Sequence, residues 1–320
     1  GRHMGYAIEF SDVQAAAQRI AGTVKRTVVV SSEEINDIAG REVLLKCENL
    51  QHVGAFKFRG ATNAVRMLGR RQAEMGVCTH SSGNHAQALA LAAKQRGMPA
   101  YIVMPNTAPK VKVAGVQSHD AEITFCEPTL EAREATAASV IERTGATLVH
   151  PYDNPNVIAG QGTAAMELFE QAGPMDAVIA PVGGGGLMSG TCITTRALFP
   201  ETRLFGAEPE GADDAARSLA AGEYIPQTGP DTICDGLLTS LGQLTWPILR
   251  DHLEGVITVS DDEVVEAMRL LLKHLGMVVE PSGAASLAAV LRPEFRELEG
   301  IGKVGLILSG GNVDPGSVAF

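Results

Sequence analysis

The chain has 320 residues, 45% hydrophobic and 20% charged, with 35 glycines, 16 prolines and one tryptophan. That composition belongs to a globular protein of one large domain or two unequal lobes, and it excludes disorder as the dominant state. With 26 lysines and arginines against 37 acidic residues the net charge at pH 7 is −11; the basic residues form no runs, so nucleic acid and anionic membrane are not expected partners.

Residues 1–3 read as an expression tag ahead of a native start at Met4, with no secretion signal behind it. From about Gly76, short apolar or β-branched runs alternate with stretches of helical period. Strands are predicted over residues 77–80, 100–104 and 122–126, leading into helices over 83–96, 109–119 and 130–143. The alternation resumes with strands over 146–150 and 177–181, a helix over 187–198, another over 261–275 and a strand over 304–308. Such alternation implies parallel sheets covered on both faces, which bind ligands at the carboxyl ends of their strands. Between Pro209 and Pro247 the pattern fades into short polar pieces. No apolar window approaches the roughly 20 residues that cross a bilayer. Cys47, Cys78, Cys126, Cys192 and Cys234 lie far apart without a CxxC pair, which points to a reduced, cytoplasmic protein without a zinc site.

Four segments carry unusual residues. Gly183, Gly184, Gly185 and Gly186, followed by Leu187, link a strand to a helix, where backbone N–H groups can close around an anion. The loop lacks the GxxxxGK[ST] lysine and the GxGxxG spacing, so a smaller phosphate ester fits better than a nucleotide; a tight turn is the plain alternative. Lys57, between Phe56 and Phe58 at a helix start, is an amine whose apolar neighbours disfavour its charged form, as Schiff-base formation needs. Alone it reads more readily as a surface lysine on an amphipathic helix, and it gains weight only beside its companions. The segment His80-Ser81-Ser82-Gly83-Asn84-His85 ends a strand and opens a helix, offering hydroxyls and N–H groups suited to a carboxylate. Finally, Ser309 ends an apolar strand ahead of Gly310-Gly311-Asn312.

Together with Ile158-Ala159-Gly160-Gln161-Gly162-Thr163, these segments resemble the pyridoxal-phosphate enzymes of fold type II, the tryptophan-synthase β-like family. Within it the chain is similar, from roughly Phe10 to Asn312, to the serine racemase, serine/threonine dehydratase and 3-hydroxyaspartate dehydratase group. The resemblance implies an α/β fold of two lobes, each an open, mostly parallel sheet flanked by helices. Residues 1–73 and 150–320 would form the large cofactor-binding lobe and 74–149 the small lobe that closes on the substrate. It also implies that Lys57 holds pyridoxal 5'-phosphate as a Schiff base, Phe56 packs on the pyridine ring, Asn84 bonds its phenolic oxygen, Gly183–Gly186 and Leu187 cradle the phosphate, and Ser309 faces the ring nitrogen. A neutral hydroxyl there weakens the electron sink and favours elimination from Cβ. Ser81, Ser82, Asn84 and His85 would hold the carboxylate of a small amino-acid substrate, and the freed Lys57 amine would remove its α-proton. Ser82 would be the acid/base on the opposite face. Glu208 and Asp214 alone read as the acidic start of a helix; the resemblance makes them, with the Ala212 carbonyl, ligands of Mg2+, Ca2+ or Mn2+. A homodimer is implied as well.

Departures from the family pattern sharpen this reading. His52-Val53 replaces the Lys-Thr of nucleotide-responsive racemases, which argues against nucleotide activation. Tyr152-Asp153 follows His150-Pro151 where those racemases carry Asn, which favours a dehydratase. Ser82 stands where many biosynthetic threonine dehydratases carry Ala, and with Phe320 close behind the Ser309 strand their regulatory domain, and feedback through it, are not expected. Arg133 matches an arginine near the substrate mouth and would pair a second carboxylate, favouring 3-hydroxyaspartate; a solvated helix arginine is the alternative. The expected activity is a β-eliminating ammonia-lyase on L-serine, L-threonine or 3-hydroxyaspartate, with racemisation as runner-up. A cofactor-binding sensor without turnover would need neither Lys57 nor Ser82 as a base, and a nucleotide-binding oxidoreductase rests only on parallel sheet plus glycine loop.

Overall fold

The computed structural model describes residues 5–81 and 83–318. Its strands are β1 (Val29–Val30), β2 (Glu42–Cys47), β3 (Val77–His80), β4 (Ala100–Pro105), β5 (Glu122–Cys126), β6 (Thr147–Leu148), β7 (Ala177–Pro181), β8 (Arg203–Pro209), β9 (Gly255–Val259) and β10 (Lys303–Leu308). They form two sheets, of order β1-β2-β10-β7-β8-β9 and β5-β4-β3-β6. Every pairing is parallel except β1 with β2. Strand β7 is buried along its whole length and β10 from Val304 on, which explains their unbroken apolar runs: helices cover both faces.

In chain order the helices are α1 (Phe10–Ile20), α2 (Glu33–Ala39), α3 (Lys57–Arg66), α4 (Arg70–Met75), α5 (Asn84–Arg96), α6 (Lys110–Gln117) and α7 (Leu130–Thr144). There follow α8 (Pro155–Ala172), α9 (Gly186–Leu198), α10 (Asp214–Ala221), α11 (Thr245–His252), α12 (Asp261–Leu275), α13 (Pro281–Val290) and α14 (Pro293–Arg296). Local chemistry sets several ends. Asn154 caps α8 ahead of Pro155, Thr129 caps α7, and Ser260 with Glu263 forms a capping box on α12, which stops at left-handed Gly276.

The predicted strands over 77–80, 122–126 and 177–181 and the helix over 261–275 coincide with the observed elements, and other bounds shift by a few residues. The strand predicted over 146–150 shortens to two paired residues. Beyond it the Val149 carbonyl faces a His85 ring nitrogen, and His150 Nδ1 accepts the N–H groups of Tyr152 and Asp153, so these groups leave the ladder. Between α10 and α11 the chain runs without regular structure, as the faded pattern implied. The N-terminal elements α1 to β2, strands β8 and β9, and helices α8 and α13 carried no prediction. Among the described residues no helix is long and apolar enough to cross a membrane, and the five cysteines are free.

Candidate active site

The turn that starts α3 is tied to the end of β10. Ala55 bridges Gly310, the Phe56 N–H donates to the Ser309 carbonyl at 3.0 Å, and the Gly60 N–H is satisfied by Gln161 Oε1 of α8 at 2.9 Å. This presents Lys57 to a cavity of about 880 Å3, part of it open to solvent. Lys57 Nζ donates to the Pro151 carbonyl at 3.0 Å and lies 5.2 Å from the centre of the Phe56 ring. Among the described residues no carboxylate pairs with it. Burial, and secondly the Lys112 ammonium, lower its pKa to about 8.

On the opposite wall, β7 hands over to α9 through the four glycines. Gly185 has φ +94°, and a Cβ on Gly184 would lie 2.1 Å from the Tyr152 ring, so only glycine fits between that ring and the loop. Thr245 Oγ1 holds the Gly184 carbonyl at 2.7 Å. With α9 starting at Gly186, its first-turn N–H groups lack helical acceptors beside the cavity, an anion site. Leu187 and Ser309, both buried, line the same space.

Ser81, Asn84, His85 and Arg133 also line it. Ser81 Oγ accepts the N–H groups of Gly83 and Ala86, capping α5. Asn84 is held at both ends of its amide: Nδ2 donates to Glu280 Oε1 at 2.8 Å and Oδ1 accepts Asn312 Nδ2 at 2.9 Å. One Nδ2 hydrogen remains for a ligand. His85 Nε2 lies 3.0 Å from the Val149 carbonyl, and burial pushes the imidazole pKa far down, so the neutral ring donates there and Nδ1 keeps a buried lone pair without a partner among the described residues. A carboxylate would therefore meet the helix-start N–H groups rather than this ring. Arg133, on α7, is half-buried, and its Nε has no partner among the described residues. Ser82 lies outside the described residues.

Glu208, Ala212 and Asp214 sit apart from this cavity. Both carboxylates are buried. Glu208 accepts the Ala215 and Ala216 N–H groups at 3.0 and 2.9 Å, while the Asp214 oxygens are buried without a hydrogen-bond partner among the described residues. Burial raises both pKa values, and for Glu208 the neighbouring Asp214 adds to it. Orphaned buried oxygens beside a second carboxylate fit a hard cation, although the described residues contain no group of three or more acidic, His or Cys side chains that could hold one.

Several residues escaped the sequence reading. Lys112 lines the cavity, fully buried, bonded to Asp235 at 2.7 Å and Glu280 at 2.9 Å. Asn312 and Glu280 orient Asn84. The Tyr152 ring covers the glycine loop, and His80, which lines the cavity, meets His150 edge-on with ring centres 5.5 Å apart, the pKa of each lowered to about 4, chiefly by burial. Arg59, two residues beyond Lys57, makes paired contacts to both Glu48 and Glu167. No local signal reveals these, since each depends on at least one partner more than 30 residues away.

A model of the family described as pyridoxal-phosphate dependent enzyme matches residues 20–310. The chain is 50% identical to the beta-hydroxyaspartate dehydratase of Paracoccus denitrificans, over 97% of this chain and 98% of that protein. It is 48% identical to the serine racemase of Dictyostelium discoideum, over 98% and 97%. The solved structure of maize serine racemase superposes with a TM-score of 0.96 at 46% identity, covering 98% of this chain and 96% of that one. The α/β architecture is thus the fold-type II arrangement expected from the motifs. A cavity with a desolvated lysine facing an anion-binding loop fits that cofactor, and the chain belongs to the family of pyridoxal-phosphate-dependent enzymes.

Proposed function

We propose that this enzyme is an ammonia-lyase that converts a small β-hydroxy amino acid, L-serine, L-threonine or 3-hydroxyaspartate, to a 2-oxo acid and ammonia. The observation that carries the reading is Lys57: a half-buried lysine with a carbonyl for partner and a lowered pKa, in a cavity walled by the glycine loop and the α5 start. When bound, the cofactor supplies an electron sink that acidifies the substrate's α-carbon. Phe56, Gly183–Gly186, Leu187 and Ser309 would hold it. The open N–H groups of α5, with the Ser81 hydroxyl, bind the substrate carboxylate, and the remaining Asn84 N–H holds the cofactor ring. Lys57, as a neutral amine, takes up the α-proton. Loss of the β-hydroxyl as water leaves an enamine that hydrolyses to the 2-oxo acid and ammonia. Arg133 pairs the distal carboxylate of a dicarboxylic substrate, which favours 3-hydroxyaspartate.

Racemisation is the second reading, supported by the Ser82 hydroxyl next to Ser81 in the substrate loop and by the similarity to proteins named serine racemase. The layer around β3–β6 would act as the small closing lobe. The buried Glu208 and Asp214 carboxylates, with the Ala212 carbonyl, would hold Mg2+, Ca2+ or Mn2+, and the working unit would be a cytoplasmic homodimer. A turnover panel of serine, threonine and the 3-hydroxyaspartate stereoisomers, scored for 2-oxo acid and for change of α-configuration, tests the activity. No 2-oxo acid from any member would overturn the lyase reading. For the cation, a chelator should lower the melting temperature and added Mg2+, Ca2+ or Mn2+ restore it, because an ion bound only by the folded state stabilises it; a melt indifferent to both would leave Glu208 as a helix cap.

A further inference from the structure

Lys112 belongs to α6, which packs against α5 and β5 in the layer of the four-stranded sheet. Its ammonium nevertheless bonds two carboxylates of the other layer: Asp235, in the loop between α10 and α11, and Glu280, at the start of α13. The aliphatic stem crosses Gly83, where a Cβ would lie 2.2 Å from Lys112 Cδ, so glycine in the substrate loop makes room for it. Glu280 passes the contact back to the cavity wall through Asn84 and the Asn312 N–H. Lys112 and Lys57 line the same cavity.

We propose that Lys112 is a positioning residue for the reactive amine: a buried cation, clamped across the two sheets by Asp235 and Glu280, that adds to burial in favouring the neutral form of Lys57. The proposal rests on reading Lys57 as the cofactor lysine. Two ammonium groups share one desolvated space, and the one with carboxylate partners retains its charge. Burial alone would discharge Lys112, but Glu280 and Asp235 more than offset it and raise its pKa. Lys57, bonded to a carbonyl, is the one that gives up its proton, the arrangement by which a neighbouring cation activates a lysine nucleophile. The other titratable groups around it do not compete. His85 on α5, His80 at the end of β3 and His150 after β6 are neutral through burial, burial holds the Tyr152 phenol up at about 12, and Arg133 of α7 is a second fixed cation on the cavity wall.

The test follows the visible band that forms when pyridoxal phosphate is added to the cofactor-free protein, as a rate against pH, with the modified lysine identified after borohydride reduction. In the parent chain the rate should rise with pH and level off near 8, because only the neutral amine attacks. Lys112→Met keeps the stem over Gly83 but removes the cation and leaves Glu280 and Asp235 unbalanced. The profile should then move up by about one pH unit or more, a loss of about tenfold in rate at pH 7. Lys112→Arg, which keeps the charge, should restore the parent profile. If Lys112→Met does not fold, Lys112→Met combined with Glu280→Gln leaves one unpaired carboxylate instead of two and should move the profile in the same direction by a smaller amount. An unshifted profile in either folded variant overturns the proposal, whereas a parent chain that forms no band on Lys57 overturns the cofactor reading itself.

Discussion

Lys46 is fully buried and Lys57 half-buried at a cavity wall, and the two also differ in their partners. Lys46, on β2, spends its three N–H groups on the Thr27 carbonyl, Glu167 and Gln171 at 2.7 to 2.9 Å, inside a network in which Arg59 forks onto Glu48 and Glu167. Lys57 lies on the other side of the same turn of α3, facing a cavity, with a carbonyl as acceptor. Burial lowers the pKa of both, but for Lys46 the Glu167 carboxylate opposes that lowering, whereas Lys57 has no carboxylate to oppose it and is the amine poised to react. The network also anchors the helix that carries Lys57, so one region holds the other in place.

The largest effect should come from Lys57→Ala, which ought to abolish turnover and the Lys57-linked visible band together while leaving the fold intact. Retained steady turnover would end the distinction between the two lysines. The same contrast has a pH signature in the cofactor-free protein. The folded pKa of Lys57, about 8, lies below its ordinary 10.5, so the unfolded chain binds more protons between those values and stability should rise with pH across that window. Urea titrations of Lys57→Met should lose this slope.

On the structural side, Arg59→Ala leaves the buried Glu48 without its cation and takes one of two cations from the half-buried Glu167, and should cost about 3–5 kcal/mol of stability, read from denaturant midpoints. A loss of activity without a loss of stability would move Arg59 to the reactive side of the comparison.

Ser82→Ala should reduce racemisation and elimination from D-substrates by roughly 10²–10⁴-fold, while much of the Lys57-dependent elimination survives. Equal slowing of both stereochemical series would leave Ser82 as a carboxylate binder or cap. The smallest effect is expected for Arg133→Ala. Loss of a charge-assisted pair costs on the order of 1.5–3 kcal/mol, so kcat/KM for 3-hydroxyaspartate should fall at least about tenfold relative to serine. Parallel losses on both substrates would make Arg133 structural.

Much of the α/β alternation was legible in the sequence because period and punctuation are local. The 77–80 and 177–181 strands are short apolar runs closed by the Ser/Gly and glycine segments, and the 261–275 helix opens with its own capping box and closes on glycine. Lys57, the glycine loop and Ser309 were legible for a similar reason: each sits where a strand or helix ends, in a residue pattern rare enough to stand out. Strands β8 and β9 and the N-terminal elements were harder to read, since β1 is two residues long and pairs antiparallel at the sheet edge.

Tertiary structure alone decided which charges are paired. Lys46 and Lys112 are flanked by ordinary neighbours, the phenylalanines beside Lys57 do not tell its partner, and in sequence Lys112 looks like one more cation on an exposed helix. Their fates were set by Glu167, Pro151 and Glu280, at separations of 121, 94 and 168 residues. Desolvation and pairing energies depend on distance in space. Chain order carries the motifs, and the folded contacts assign each buried amine its partner and hence its chemistry.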